Sequence, residues 1–152
     1  MRISVKCSSA VHILLMIAVV PADKKITSDY LSSSVGNNPV ETRKLLSRLK
    51  KADIIDVQRG PGGAILKKSP DKISLYDIYS AVDSASLDEL IGIHNNPEER
   101  CPFGRNITRL LSERYEEISN VIQQKMESIT LKDFVTRLYE LEPDIDESFD
   151  IV

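Results

Sequence analysis

The stretch 39–51 (PVETRKLLSRLKK) carries the side chains best suited to bind a ligand of regular shape and charge. At helical spacing its leucines share one face, and the other face carries Glu41, Arg43, Lys44, Ser47 and Arg48. Arginine and lysine form paired hydrogen bonds to guanine or neutralise phosphate, and glutamate accepts a hydrogen bond from the amino group of cytosine. The pattern makes this face a candidate for contact with a DNA major groove. A single charged helix face is more often only a solvated surface, so neighbouring elements must distinguish the two interpretations.

The helix that carries this face is the second of two short helices joined by a tight turn. Thr27 or Ser28 is a good N-cap for the first helix, and Gly36 suits a left-handed C-cap at its end. Asn38 caps the second helix, with Pro39 at its first position. Two helices in this arrangement, following a longer one, predict a helix-turn-helix.

A glycine-rich turn follows the second helix and predicts the wing of a winged helix. Residues 54–58 and 64–67 have the composition of strands, and Arg59, Gly60, Pro61, Gly62 and Gly63 connect them. The turn lacks the Gly-Lys-Ser/Thr ending of a phosphate-binding loop, which excludes nucleotide binding there. A plain hairpin turn remains the alternative to a wing whose Arg59 enters a minor groove.

The most apolar segment, Ala10–Val20, predicts a buried helix that begins at Ser8 or Ser9 and stops at Pro21. A basic start followed by an apolar run also resembles an export signal. However, His12 interrupts the run, which is too short to span a membrane, and no small-residue cleavage site follows. We therefore expect a core helix, no membrane association and a cytoplasmic protein.

Charge is distributed very unevenly between the two halves. Residues 1–70 contain 12 Lys or Arg and 5 Asp or Glu, a net charge of +7, whereas residues 71–152 contain 8 and 18, a net charge of −10. A cationic half favours a polyanionic partner, which the overall charge of −3 conceals. The hydrophobic fraction of 41% excludes a disordered chain, and two cysteines are too few for a secreted disulfide framework.

The C-terminal half predicts mainly helices. An amphipathic helix spans 74–84, residues 87–102 are irregular, and a long helix runs from Arg105 to about Ser128. A near-heptad apolar seam on the long helix comprises Ile107, Leu111, Tyr115, Ile118 and Ile122. A short helix over 131–141 and a mobile acidic tail over 142–152 complete the chain.

The residues able to ligate a soft metal or act as nucleophiles are Cys7, His12, His94 and Cys101. None of them forms the closely spaced pairs typical of a zinc site, so no metal site is predicted. A catalytic cysteine–histidine pair has no third residue in the sequence to orient it. Residues of these types are more often structural.

One string resembles a known family closely. The wing sequence VQRGPGG (57–63), after LLSRLK (45–50) and before SAVD (80–83), resembles the bacterial Rrf2 regulators, which include IscR, NsrR and CymR. The resemblance covers about residues 1–140. It implies a homodimer whose long helix crosses its twin and whose recognition helices enter successive major grooves of a palindromic site. Together with the charge pattern, it predicts these DNA contacts: Lys6, Thr27, Ser28, Asn38, Val40, Glu41, Arg43, Lys44, Arg59 and Gly60.

The chain departs from the cluster-binding members of that family in the loop before the long helix. Those members have three cysteines and a fourth ligand there, whereas residues 91–104 retain only Cys101, and Gly104 stands where a histidine ligand can lie. The resemblance is therefore to cluster-free members, which sense a small molecule, a thiol state or a partner protein. It also suggests a redox hypothesis, in which Cys101 approaches Cys7 of the opposite subunit and oxidation alters DNA affinity. Two reduced bystander thiols are the alternative.

The sequence thus predicts a mainly α fold with a small β-hairpin: a winged helix-turn-helix domain plus a long C-terminal dimerisation helix. The expected divisions are a DNA-binding domain over 1–84, an effector loop over 85–104, dimerisation helices over 105–141 and the tail. We expect a sequence-specific, homodimeric repressor without catalytic activity or cofactor, responsive to a small-molecule effector or a partner enzyme. The alternative is an interaction module that docks a metabolic enzyme through its acidic half and binds DNA weakly. A thiol-dependent enzyme is a third possibility and would require a reactive Cys101.

Overall fold

A computed structural model of the chain describes residues 4–21, 23–24, 26–58, 63–83 and 85–146. Within these ranges the elements are α1 (Val5–Val19), α2 (Ser28–Val35), α3 (Pro39–Lys51), β1 (Ile55–Val57), β2 (Ala64–Leu66), α4 (Leu75–Val82), α5 (Pro102–Glu127) and α6 (Leu131–Leu141). Two short 3₁₀ turns, Pro70–Lys72 and Leu87–Leu90, connect them. The predicted fold class, mainly helical with one small hairpin, is confirmed.

Helix α1 forms the centre of the core. Ala10, Ile13 and Leu14 are completely buried, and α1 contacts α2, α3, α4, α6 and β2. The prediction that α1 starts at Ser8 or Ser9 is wrong, because the hydroxyl of Ser4 accepts a hydrogen bond from the N–H of Lys6 and caps the helix one turn earlier. None of the helices in the described ranges is both long and apolar enough to cross a membrane.

The helix-turn-helix forms as its local sequence predicts. The Thr27 hydroxyl caps α2 by accepting the N–H of Tyr30, and Gly36 ends α2 in the left-handed conformation with φ of 73°. Asn38 then caps α3 by accepting the N–H of Val40 at 2.8 Å. These caps fix both ends of the turn, and with it the angle at which α3 leaves α2.

The wing is a two-stranded antiparallel hairpin in which Ile55 pairs with Leu66 and Val57 pairs with Ala64. Beyond β1, the N–H of Gln58 donates to the carbonyl of Gly63 at 2.9 Å. Arg59 and Gly60, both predicted to contact DNA, lie outside the described residues.

The predicted bounds of α4 and α5 need correction. Helix α4 ends at Val82 rather than Ser84, and its capping box joins Ser74 to Asp77. Helix α5 begins at Pro102 rather than Arg105, because proline is favoured at the first helical position, where its missing N–H is not needed. The segment 87–102 was predicted irregular but opens with the 3₁₀ turn at Leu87–Leu90.

Helix α6 folds back from α5 and packs against α1 and the 3₁₀ turn Pro70–Lys72. The N–H of Leu131 donates to the carbonyl of Ile73 at 2.8 Å, and Leu131 is completely buried. After α6, residues 142–146 turn back and Ile145 packs against the core, while the predicted mobility of the tail over 142–152 stays a prediction. The remainder of that tail, 147–152, lies outside the described residues.

We predict that alanine at Gly63 lowers the free energy of unfolding more than alanine at Gly36. Both glycines have positive φ, 64° and 73°, where an added Cβ costs about 1–2 kcal/mol. At Gly63 the Cβ would also lie 2.9 Å from the carbonyl oxygen of Ile26, whereas at Gly36 it meets nothing within 4 Å. Urea unfolding of both variants at one protein concentration measures the difference. Equal losses would contradict the close approach of the wing to Ile26.

Candidate nucleic-acid interface

The predicted reading face of α3 is exposed. Val40 is 53% exposed, and Glu41, Arg43 and Lys44 are exposed beside it. Thr42, Leu45 and Leu49 are buried on the opposite side, so the helix is held to the core along one face only. The structure therefore brings four predicted contact residues together on one accessible surface.

Two ion pairs organise the charges on that surface. Lys44 Nζ lies 2.7 Å from Glu41 Oε1 one turn away, and the hydrogen bond from Lys44 lowers the pKa of Glu41. The Asn38–Glu41 spacing is that of a capping box, but the Glu41 carboxylate instead accepts a hydrogen bond from the Lys44 ammonium. Arg43 reaches across to Asp29 of α2 at 3.5 Å. Exposed pairs of this kind contribute about 1 kcal/mol or less, so a DNA phosphate or base can replace either partner.

Lys6 belongs to the same charged surface although it lies on α1. The positive charge of Lys6 also lowers the pKa of Glu41, so Lys6 acts electrostatically on the exposed face of α3. Lys6 is exposed in the first turn of α1. The predicted grouping of Lys6 with the α3 residues is thus consistent with the packing of α1 beside α3.

At the start of α2, Thr27 is exposed and Ser28 is partly buried. The Thr27 hydroxyl already accepts the N–H of Tyr30, and the Ser28 carbonyl accepts from Ser32. The N–H groups of Ser28 and Asp29 have no intrahelical acceptor by helix geometry and are available to a phosphate. The Asp29 carboxylate beside them repels a phosphate unless Arg43 remains paired with Asp29.

Arg48 has a role that sequence reasoning missed. It falls on the polar side of α3 in the sequence, but its guanidinium donates to the carbonyl of Val82, the last residue of α4, at 2.5 Å. Nothing in the spacing of α3 distinguishes Arg48 from Lys44, because the acceptor is 34 residues away. This bond joins the recognition helix directly to the start of the 83–101 segment.

The two cysteines differ sharply in environment. Cys7 is 4% exposed, and burial together with the charge of Asp83 raises its pKa to about 11. Cys101 is partly exposed at the start of α5, where the backbone N–H groups of Gly104 and Phe103 lower its pKa. Of the two residues predicted to sense a redox signal, Cys101 is the more exposed and has the lower pKa.

A comparison with known families decides the identity of the chain. A family model described as Rrf2, an iron-dependent transcriptional regulator, matches residues 3–137. The chain belongs to the Rrf2 family. The resemblance found in the wing and in the 80–83 segment is therefore confirmed.

Individual relatives agree with this assignment. YwnA of Bacillus subtilis (strain 168), whose name places it among HTH-type transcriptional regulators, is 38% identical over 137 residues, covering 90% of this chain and 99% of YwnA. The solved structure of CymR (YrzC), the global cysteine regulator of B. subtilis, aligns with TM-score 0.67 at 19% identity, over 90% of this chain and 98% of CymR. IscR of T. potens aligns with TM-score 0.68 at 20% identity, over 93% and 91%. The last two structures show a shared fold. The Rrf2 chain described here is a transcriptional regulator with a DNA-binding fold rather than an enzyme.

The family description raises the question of an iron–sulfur cluster, and the donor set of this chain does not fit one. Such clusters are held by four ligands, mostly cysteine thiolates, and the sequence has two cysteines. Cys7 is enclosed in the core, and a Cβ at Gly104 would collide with the carbonyl oxygen of Glu98, which leaves no room for a histidine there. Among the described residues, no three His, Cys, Asp or Glu side chains are grouped to hold a metal ion.

We predict that Cys101 is alkylated much faster than Cys7 in the native protein. The reactive species is the thiolate, so the Cys101 rate should rise with pH and reach half its maximum below pH 9.0, the ordinary pKa. Cys7 should stay nearly unreacted across the same range, because its pKa is about 11 and its thiol is buried. Timed iodoacetamide labelling with mass spectrometry of the two peptides measures both rates. The same labelling in denaturant is the control, and similar native rates would contradict the assigned environments.

Proposed function

We propose that this Rrf2 chain is a homodimeric repressor that binds a palindromic DNA site through α3 and the wing. The observation that carries the proposal is the exposed face of α3, with Val40, Glu41, Arg43 and Lys44 presented by a helix-turn-helix in the cationic half of the chain. A helix in this setting enters a major groove and contacts base edges with its first turns. Lys6 and the start of α2 contact the flanking phosphates, and Arg59 and Gly60 form the wing contact.

The dimer is proposed from an apolar stripe along α5. Phe103, Leu110, Ile118 and Val121 are 83%, 60%, 45% and 64% exposed, and their spacing places them on one side of the helix. Several large apolar side chains exposed along one side of a helix mark an interaction surface, here with the Arg114–Glu117 ion pair between Leu110 and Ile118. A second copy of the same stripe covers it in a twofold dimer.

This stripe differs from the seam predicted from sequence. Tyr115 and Ile122 of that seam are partly buried, and Ile122 packs against the chain's own core. Phe103, Leu110 and Val121 of the exposed stripe do not pack against that core. Helix α5 therefore has two apolar sides, one for its own domain and one for the partner. A single heptad pattern could not separate them.

Regulation of DNA binding is proposed to pass through the segment between α4 and α5. Cys101 ends this segment, and the Arg48–Val82 bond connects its beginning to α3. A change at Cys101 or in a bound partner reaches α3 by altering the 83–101 segment, whose beginning is connected to α3 by the Arg48–Val82 bond. The redox pairing of Cys101 with Cys7 stays a hypothesis, which the Cys101→Ser variant tests: unchanged responses of DNA binding to peroxide and diamide would refute it.

Selection of bound sites from a random duplex pool tests the DNA-binding function, since it requires no known operator sequence. An enriched palindrome, with half-sites about one helical turn apart, is the expected result. Binding without an enriched motif, abolished by modest salt, would instead favour the interaction module with incidental DNA affinity. Placing the selected site between a promoter and a reporter gene then distinguishes repression from activation.

We predict that Arg43→Ala weakens binding to the selected site by about 1–3 kcal/mol and relaxes base preference at one position per half-site. The loss follows if Arg43 gives a paired hydrogen bond to guanine. Arg137→Ala is the matched control, because it removes the same charge from an exposed residue of α6 that pairs with Glu140. Mobility-shift titrations of both variants at one salt concentration measure the effect. Equal affinities for the two variants would contradict the reading role of Arg43.

We predict that Leu110→Asp raises the dimer dissociation constant by at least tenfold, because it places a charge in the centre of the proposed apolar contact. Leu141→Asp is the control, since Leu141 is 61% exposed on α6, close to the 60% of Leu110. Sedimentation velocity over a concentration series measures the monomer–dimer equilibrium. A Leu110→Asp variant that dimerises as well as the control would contradict the assigned interface.

A further inference from the structure

A half-open cavity of about 470 Å³ lies between α1, α2 and α6. Its walls are mostly apolar and include Val11, Leu15 and Met16 of α1, Leu138 of α6, and Ile145 of the turn that follows α6. The volume is within the range of about 300–1,000 Å³ typical of small-molecule sites. Much smaller apolar cavities, of about 150 Å³, bind benzene.

One corner of the cavity is polar. His12 Nε2 lies 3.1 Å from Ser34 Oγ, and both residues line the cavity. His12 is the residue that interrupts the apolar stretch Ala10–Val20, so the polar corner is a departure from the pattern of the core helix. A hydroxyl has one donor and two acceptor positions, so Ser34 keeps hydrogen-bonding capacity beyond its bond to His12. An apolar cavity with a few convergent polar groups is the usual form of a ligand site.

We propose that this cavity binds a small, mainly apolar organic molecule whose single hydrogen-bonding group is directed at His12 and Ser34, and that its occupancy alters DNA binding. The second part rests on the proposed function, since it requires the chain to bind DNA. The first part, ligand binding, does not.

The position of the cavity explains how occupancy reaches DNA. Tyr30 and Ser34 of α2 form one wall, and α1 forms the other. Helix α2 packs against α3 and is tied to it by the Arg43–Asp29 pair. A molecule inserted between α1 and α2 changes the position of α2 on the core, and α3 moves with it because Gly36 and Asn38 fix the turn between them.

The C-terminal turn forms one edge of the cavity, where Ile145 packs against the core. The Tyr139 hydroxyl donates to Asp146 Oδ1 at 3.2 Å, the N–H of Ile145 donates to the carbonyl of Glu142 at 3.2 Å, and the N–H of Glu142 donates to the carbonyl of Leu138 at 2.8 Å. Because the cavity is half open, a small molecule can enter it without displacing this edge.

Phenol and toluene are the probes of choice, because they share a ring and differ in the one hydroxyl. Methyl-labelled NMR of the full chain, with each probe titrated to about 10 mM, should give saturable shifts at Met16, Leu15 and Val11, because fragments of this size bind in the millimolar range. Methyl groups that do not line the cavity, such as those of Ile118 on α5, should not shift. Absence of saturable shifts at the cavity methyls with both probes would overturn the proposal.

Substitutions test the location and the polar corner separately. Ser34→Phe should fill the cavity and weaken both probes at least tenfold, whereas Ser33→Phe, the same change at an exposed neighbour that does not line the cavity, should not. His12→Leu should leave toluene bound and lower the preference for phenol over toluene by about two- to tenfold, the range of one net hydrogen bond. Thermal unfolding establishes that each variant is folded. Equal behaviour of Ser34→Phe and Ser33→Phe, or an unchanged preference in His12→Leu, would overturn the assignment.

A competing occupant is the chain itself, since the sequence continues beyond Asp146 with Phe149, Ile151 and Val152. A variant ending at Asp146 tests this alternative. If the full chain binds neither probe and the shortened chain binds both, the C-terminal residues occupy the cavity and the small-molecule proposal is wrong.

The link to DNA is measured on the selected site, with and without saturating phenol. At least a twofold change in DNA affinity, absent in Ser34→Phe, is the expected result. Bound phenol with unchanged DNA affinity would overturn the regulatory part alone. Bound phenol in a chain that selects no DNA site would instead count against the proposed function and leave the ligand site standing.

Discussion

The burial of α1 is the constraint on which the rest of the structure depends. A helix that is apolar on nearly every side is stable in water only when other elements cover each side. Helices α2, α3, α4 and α6 and strand β2 all contact α1, with Ala10, Ile13 and Leu14 completely buried among them. The helix-turn-helix and the wing are thus positioned by a shared core, so the exposed face of α3 has a defined direction.

The same dependence connects the proposed DNA-contact face of α3 to distant elements. Helix α3 is held by its buried face, by the cap at Asn38, by the Arg43–Asp29 pair and by the Arg48–Val82 hydrogen bond. Two of these contacts lead to elements that also border a proposed signal: α2 lines the cavity beside α1, and Val82 precedes the segment that ends at Cys101. Under the two proposals, thiol chemistry and ligand binding therefore act on α3 from opposite ends.

Local features were predictable from the sequence because they depend on a few adjacent residues. The caps at Thr27, Gly36 and Asn38 were confirmed, as were the hairpin and the order of helices. The beginning of α1 was wrong because Ser4, Ser8 and Ser9 are equally good caps in isolation. The Arg48–Val82 bond, the packing of Ile145 and the two apolar sides of α5 were missed because each depends on residues that are distant in sequence.

The central claim is that two α3 helices lie in successive major grooves of one DNA site. The most direct measurement is the distance between spin labels placed on α3 of each protomer at Lys51→Cys, in a Cys101→Ser background, with the selected DNA bound. Lys51 is exposed at the last residue of α3, away from the proposed base contacts in its first turns, and Cys7 is too buried to take a label. The account predicts one narrow distribution near the helical repeat of DNA, about 34–36 Å. No defined distance, or one that differs by more than half of that repeat, would contradict it.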